Sequence, residues 1–256
     1  MALQDRFSSI VEAKLRSTSV FANIVGRQYE GDPKAGAVKV PYRAEATVAA
    51  YNPATGLAGT DTATSFRTIS IDKDYAVNEI IDGYEAAALP DGLVAERLDS
   101  AGYALGKQAD NDIIAAILAN QTEAATTSTK LVDQIIDTVA EAKAAGVDAS
   151  HIWVAVSSAS YAKLLKETLF VQCTALEDIQ NGMIGHLAGI PIYETNNAAF
   201  TDTFVVGNSD FIHFVEDFMV APTVKDGANQ YIGSSQVVAR IVYGAAVTNA
   251  ATVLYK

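Results

Sequence analysis

The spacing of apolar positions changes along this chain, and each change marks an element. Near the start, Phe7, Ile10, Val11 and Leu15 fall at helical spacing with Lys14 among them, a short amphipathic stripe. Gly26 to Pro33 then collects turn formers, so residues 1–35 read as an arm rather than a core element. Val38 and Val40 flank Lys39, and Pro41 interrupts the run, which suits an edge strand. A polar, small-residue stretch from Asn52 to Asp61 follows, and strand spacing returns at Phe66, Ile69 and Ile71. Two strand runs joined by a turn-rich tip predict a long hairpin. Such a hairpin is too polar at its tip to bury its own faces, so it needs a surface on another molecule.

From Pro90 the period becomes helical. Pro90 and Asp91 suit a helix start, and Val94, Leu98, Ala101, Leu105, Ala109, Ile113 and Ala116 recur at three- and four-residue steps. A helix of about 28 residues within 90–120 is about 42 Å long at 1.5 Å per residue, longer than a domain of this size usually needs. Glu123 to Thr129 reads as a linker. Leu131, Ile135, Val139 and Ala142 predict a second helix over 130–145, stopped by Gly146. Ile152 to Val156 is a buried-strand run, and a third helix follows through Tyr161, Leu164 and Leu165. Short strands are expected at 190–193, 204–206 and 212–215, and two long runs, 236–243 and 246–254, close the chain. The elements together predict an α+β fold.

Charge adds an asymmetry. Of the net −12, residues 1–43 carry +3 through Arg6, Lys14, Arg16, Arg27, Lys34, Lys39 and Arg43 against four acids, which leaves −15 for the rest. Between Lys166 and Lys225 there are eight acids and no lysine or arginine. A body this acidic repels nucleic acid, which argues against a nucleic-acid-gripping enzyme. No run approaches the roughly 20 apolar residues of a membrane span, and the first residues lack a signal-peptide layout, so synthesis in a cytoplasm is expected.

Candidate chemistry is sparse. Cys173 is the single cysteine and has no neighbouring base in sequence. His151, His186 and His213 are too far apart along the chain for metal-ligand spacing. Gly182, Gly185 and Gly189 do not fit a phosphate-loop pattern and read as turns before a strand at Ile190. Asp110, Asn111 and Asp112 occupy consecutive helical positions that point in different directions, so they do not converge on one metal and read as a solvated polar face. Asp72 and Asp74 share a strand face that is equally a solvent face, and Ser157-Ser158 lacks a nucleophile elbow. No catalytic, cofactor-binding or metal residue is assigned.

The order of elements carries more. Ile152 to Leu165 resembles a strand-then-helix phrase of the tailed-bacteriophage major capsid (coat) proteins, whose fold is shared with encapsulin shells. Gly182 to Glu194 is similar to that family's glycine-containing phrase, and Phe204 to Asn208 looks like its strand end. Val238 to Val247, with Arg240 and Gly244, resembles its closing strand. The resemblance implies an N-terminal arm over 1–35, peripheral strands over 36–83 with the extended loop at about 42–68, and a peripheral part over 84–127 with the spine helix at about 90–120. It further implies an axial domain over 128–235 and return strands over 236–256.

In function it implies a subunit that self-assembles as pentamers and hexamers into an icosahedral shell around double-stranded DNA. Assembly would take place in a host bacterial cytoplasm. About thirty residues precede the loop, too few for a fused scaffold, so a separate scaffolding protein is implied, with portal and head-completion proteins, no membrane and no cofactor. The hairpin tip (Asn52, Pro53, Gly56, Gly59, Asp61) and the basic arm (Arg6, Lys14, Arg16, Arg27) would make the inter-subunit contacts. The alternatives are an encapsulin-like nanocompartment shell and, from another class, a small-molecule α/β enzyme.

Overall fold

The computed structural model describes residues 19–32, 35–42, 46–59, 63–83, 92–172, 182–226 and 233–256. Its centre is β5 (Ile152–Ser157), in which Ile152 through Val156 are all buried. A strand covered on both faces needs apolar residues at every position, and β5 shows why. Ile152, Val154 and Val156 face a core that includes Leu131, Ile135 and Val139 of helix α3 (Leu131–Ala144). Trp153 and Ala155 face the opposite core, which includes Ile113 and Ile117 of helix α2 (Gly92–Ala119).

β5 is the middle of a seven-stranded mixed sheet. It pairs parallel with β8 (Ile190–Thr195) and antiparallel with β9 (Phe204–Asn208). β7 (Met183–Leu187) and β6 (Phe170–Gln172) extend one side; β12 (Leu254–Tyr255) and β4 (Thr122–Glu123) extend the other. Helix α4 (Ser158–Leu164) follows β5 directly and buries Leu164. The stretch expected to be only turns before Ile190 therefore contains a strand, with turns at Gly182 before it and at Ala188 and Gly189 after it, all three at positive φ. β7 lies next to the outermost strand of this sheet and carries Gly185 and His186, which hid it from a propensity reading.

A second sheet has the order β10 (Ile212–Asp226), β11 (Ser235–Val247), β3 (Lys73–Ile81), all antiparallel. Two expectations change here. β10 runs 15 residues instead of ending at 215, and it pairs with β11 rather than joining the large sheet with the rest of segment 128–235. Past Val215 it is an edge strand, exposed at Glu216, Phe218 and Met219. Apolar alternation is therefore lost there while the backbone ladder to β11 continues, through register shifts at Glu216/Phe218 and Val220/Thr223. The first closing run lengthens into β11, with Val237, Ala239, Ile241 and Tyr243 buried, whereas the second, 246–254, divides into the end of β11, a 3-10 turn and the start of β12. Asn249 then caps a short 3-10 turn by accepting from the Ala251 amide, and β12 crosses into the seven-stranded sheet.

Helix α2 joins the two sheets. Its first half packs Val94, Leu98 and Ala101 against Ile81 and Val237 of the three-stranded sheet. Its second half buries Ile113, Ile114 and Ile117 under the seven-stranded one. One rigid rod of 28 residues, about 42 Å long, thus sets the spacing of two cores.

Residues 19–29 are not a detached arm. Val20, Phe21, Ile24 and Val25 are buried in the core shared with Trp153. The Phe21 ring lies edge-on to Trp153 at 6.0 Å and 5.7 Å from Phe200. Such aromatic packing dominates the energy of a contact this size, and it overrides the turn-rich local sequence. The short helix α1 (Phe21–Ile24) and the chain to Tyr29 form a strap across the body.

Candidate functional site

The hairpin is anchored at its base, where Ile69 is buried and Ser70 lies close against Gly244 of β11, and it is exposed toward its tip. Strands β1 (Ala37–Tyr42) and β2 (Ser65–Ser70) pair antiparallel, from Ala37 opposite Ser70 to Tyr42 opposite Ser65. At the tip, the Asn52 side chain accepts from the Ala54 amide at 2.9 Å, and the Gly56 amide donates to the Asn52 carbonyl at 2.8 Å. This is the local turn that asparagine favours. Pro53 lies inside it, and Gly56 closes it at φ +70°, where a side chain would be strained. Gly59 has open space around it. Asp61 lies outside the described residues.

Every residue from 46 to 59 is exposed. The apolar ones among them are the informative part: Val48 is 94% exposed, Tyr51 70% and Leu57 56%. On the ladder below, Phe66 is 61% exposed, and Tyr42 is covered on one face by Arg67, 4.4 Å from its ring. Scattered apolar side chains on a surface are ordinary; here several are gathered on one element.

The basic residues assigned to the arm divide. Arg6, Lys14 and Arg16 lie outside the described residues. Arg27 is held by its own subunit: its Nε donates to the Ala22 carbonyl at 2.9 Å, and its guanidinium sits 4.9 Å from the Phe214 ring. The strap is further pinned at Gly26, whose amide donates to the Ile212 carbonyl and whose carbonyl accepts from the Phe214 amide. A Cβ at Gly26 would come within 2.3 Å of the Ser209 carbonyl oxygen, so only glycine allows this approach. Tyr29 closes over His213 at 4.8 Å, and burial pushes the His213 imidazole below its ordinary range.

The polar triplet on α2 is not a solvated face. Asp110 is 1% exposed. Its Oδ1 accepts from the Phe21 amide at 2.8 Å, the Ala22 amide at 3.3 Å and the Ser19 hydroxyl at 3.2 Å. Its Oδ2 accepts from the Asn197 side-chain amide at 3.4 Å. Burial pushes the Asp110 carboxyl upward against the pull of these donors. Asn111 accepts from the same Asn197 amide at 2.7 Å, and Asp112 accepts from the Tyr243 hydroxyl at 2.7 Å. The divergence of consecutive helical positions rules out convergence on one metal. In the fold it lets each residue serve a different element.

Other ionisable groups have structural partners. Arg240 forms a two-pronged pair with Asp74 on the sheet surface, which holds the Asp74 carboxyl below its usual range. His151 pairs with Asp210 at 2.7 Å, and that contact raises the imidazole. His186 is exposed on β7. Among the described residues there is no group of three or more potential metal ligands. A cavity of about 140 Å³ between α3 and the β7–β8 turn has Lys143 as its one ionisable lining residue. Cys173 lies outside the described residues.

Comparison with known proteins places this geometry. A family model described as phage capsid protein matches residues 84–255, from ahead of α2 through β12. No curated protein sequence matches. Among solved structures, one from Mycobacterium phage Che8 is similar at 21% identity and TM-score 0.75, over 99% of this chain and 96% of that one. The capsid structure of cyanophage P-SCSP1u is similar at 16% identity and TM-score 0.74, over 99% and 92%. The mature capsid of bacteriophage PhiM1 is similar at 15% and 0.69, over 99% and 91%. At these identities the structures speak for the fold, and the family model, spanning about two-thirds of the chain, speaks for membership. The chain therefore belongs to the phage capsid protein family and has the fold and the role of a tailed-phage major capsid protein.

Proposed function

We propose that this capsid subunit assembles as pentamers and hexamers into a closed icosahedral shell around double-stranded DNA. Identical chains around rotation axes bury the same patches repeatedly. In this reading the seven-stranded sheet with α3 and α4 is the wedge at the capsomer axis. The three-stranded sheet with α2 is the periphery, and the hairpin tip at Asn52, Pro53, Gly56, Gly59 and Asp61 lies on the adjacent subunit.

The observation that carries this reading is the hairpin: its base is anchored by the buried Ile69, while Val48, Tyr51, Leu57 and Phe66 further out are exposed. Covering about 300 Å² of apolar surface at one such contact is worth about 7 kcal/mol before association costs, and the contact recurs at every subunit.

The basic arm at Arg6, Lys14 and Arg16 would add contacts to acidic neighbours. Each is weak in salt but repeated around the shell. The net charge of −12 suits a lining that lies beside packaged DNA without gripping it. Assembly in the host bacterial cytoplasm with a separate scaffolding protein, then portal and head-completion proteins, completes the proposal. No observation favours the nanocompartment or the enzyme.

The test is negative-stain electron microscopy of the protein, alone and with a candidate scaffold, beside a variant lacking residues 48–62. The expected result is closed shells or capsomer rings for the parent and a folded, dispersed subunit for the deletion. Normal shells from the deletion variant would refute the hairpin assignment. Parent protein that stays a compact monomer or dimer in both preparations would refute the shell.

A further inference from the structure

The carboxylate of Asp110 has no place in the assembly surfaces described so far, and its burial needs a reason. A charged side chain at 1% exposure is costly unless its lone pairs are filled. Its partners are specific. Helix α1 begins at Phe21, and the first amides of any helix lack a partner within it. The usual remedy is a side chain at the preceding residue, but that residue is Val20, which makes no such bond. Asp110, 89 residues away, supplies the acceptor instead, taking the Phe21 and Ala22 amides on one oxygen together with the Ser19 hydroxyl. Asn197 holds the other oxygen and ties α2 to the loop after β8.

These bonds fall at one point in the chain. Ser19 directly follows residues 1–18, whose sequence carries the amphipathic stripe and the basic side chains. Apolar packing of Phe21 already holds the strap in the core, yet packing is non-directional, whereas backbone amides aimed at one oxygen define an orientation. Of the three polar residues at 110–112, only Asp110 bonds the strap.

We propose that Asp110 is a positioning residue for assembly: it acts as a tertiary cap that fixes where and in which direction the N-terminal arm leaves the spine helix. This rests on the reading of the protein as a self-assembling shell subunit, but the local half of the claim is measurable on the unassembled chain.

The experiment pairs amide hydrogen exchange with shell formation for the full-length parent and its Asp110→Ala, Asp110→Asn and Ser19→Ala variants. Exchange at the Phe21 and Ala22 amides should rise on the order of ten-fold or more in Asp110→Ala, with Trp153 and Val154 unchanged, and closed shells should give way to irregular or open assemblies. Asp110→Asn retains an acceptor oxygen and should restore both protection and closed shells, a rescue that mere core stability does not predict. Ser19→Ala should show an intermediate rise, and it keeps the question open to refutation if Asp110→Ala does not fold. Unchanged protection at Phe21 and Ala22 in Asp110→Ala, or in Ser19→Ala where Asp110→Ala does not fold, would overturn the cap. Lost protection with shells of normal size and number would overturn the role in assembly. A parent that forms no shells would instead count against the shell reading itself and leave the exchange result standing.

Discussion

The hairpin loop and strand β5 are opposite solutions within one chain. In β5, five consecutive residues are buried, and each touches a neighbour from the same molecule. In the loop, every residue from 46 to 59 is exposed, including Val48, Tyr51 and Leu57. The first segment is apolar because the fold of the subunit requires it. The second is partly apolar although the subunit gains nothing from it. Apolar surface that a fold leaves uncovered on a projecting element points outward, to an assembly. The strap of residues 19–29 lies between these extremes: its local sequence resembles a linker, but its apolar side chains are in the core.

This contrast can be broken from the body's side first. Trp153→Ala removes the ring that Phe21 abuts, at a cost of about 3–5 kcal/mol. Urea unfolding should shift by that amount, with shells lost because the subunit is lost. Gly26→Val places side-chain atoms where the Ser209 carbonyl lies; overpacking of this kind costs about 1–3 kcal/mol and should also increase exchange across the strap.

His213 sharpens the comparison through pH. Its folded-state pKa lies below the ordinary 6.5 because it is buried. Between 6.5 and that lower value the unfolded chain holds the proton and the folded one does not, so stability falls as pH falls through this window. Asp210 faces both His213 and His151, and the His151 contribution runs the other way: its raised pKa favours the fold at lower pH and is lost as pH rises. Comparing thermal unfolding of the parent with His213→Asn from pH 7.5 to 5 isolates the buried histidine; equal slopes would rule out this linkage.

The hairpin should contribute little to the stability of the subunit. Replacing Val48, Tyr51 and Leu57 together by serine should leave urea unfolding within about 0.5 kcal/mol of the parent while abolishing closed shells in the microscope. A large stability loss would mean that the loop packs on its own subunit. Asp74→Asn, at an exposed ion pair, should not measurably shift the unfolding midpoint.

Much of the framework was legible in the sequence for identifiable reasons. Helices α2 and α3 carry their apolar residues at helical period over several turns, and β5 is a short unbroken apolar run between polar flanks. The hairpin tip was legible because Asn52, Pro53 and Gly56 are the residue types that a tight turn demands. β3 and the second half of β10 were not legible, because β3 carries Lys73, Asp74, Asn78 and Glu79 among its apolar residues and β10 past Val215 is an edge that exposes Glu216, Phe218 and Met219 alike. The strap was misread because Gly26 looks like a turn residue when it marks a close approach. The triplet at 110–112 was misread because a polar run on a helix suggests water until its partners are known.

By itself, then, the sequence determined where the chain would be helix, buried strand and projecting turn, since period and turn chemistry act over a few residues. Tertiary structure alone decided that β10 leaves the large sheet, that β12 returns to it, and that Asp110 caps a helix 89 residues away. Those choices depend on which backbone donors and apolar faces are left unsatisfied once the local elements exist. That is a property of the assembled set and of no segment alone.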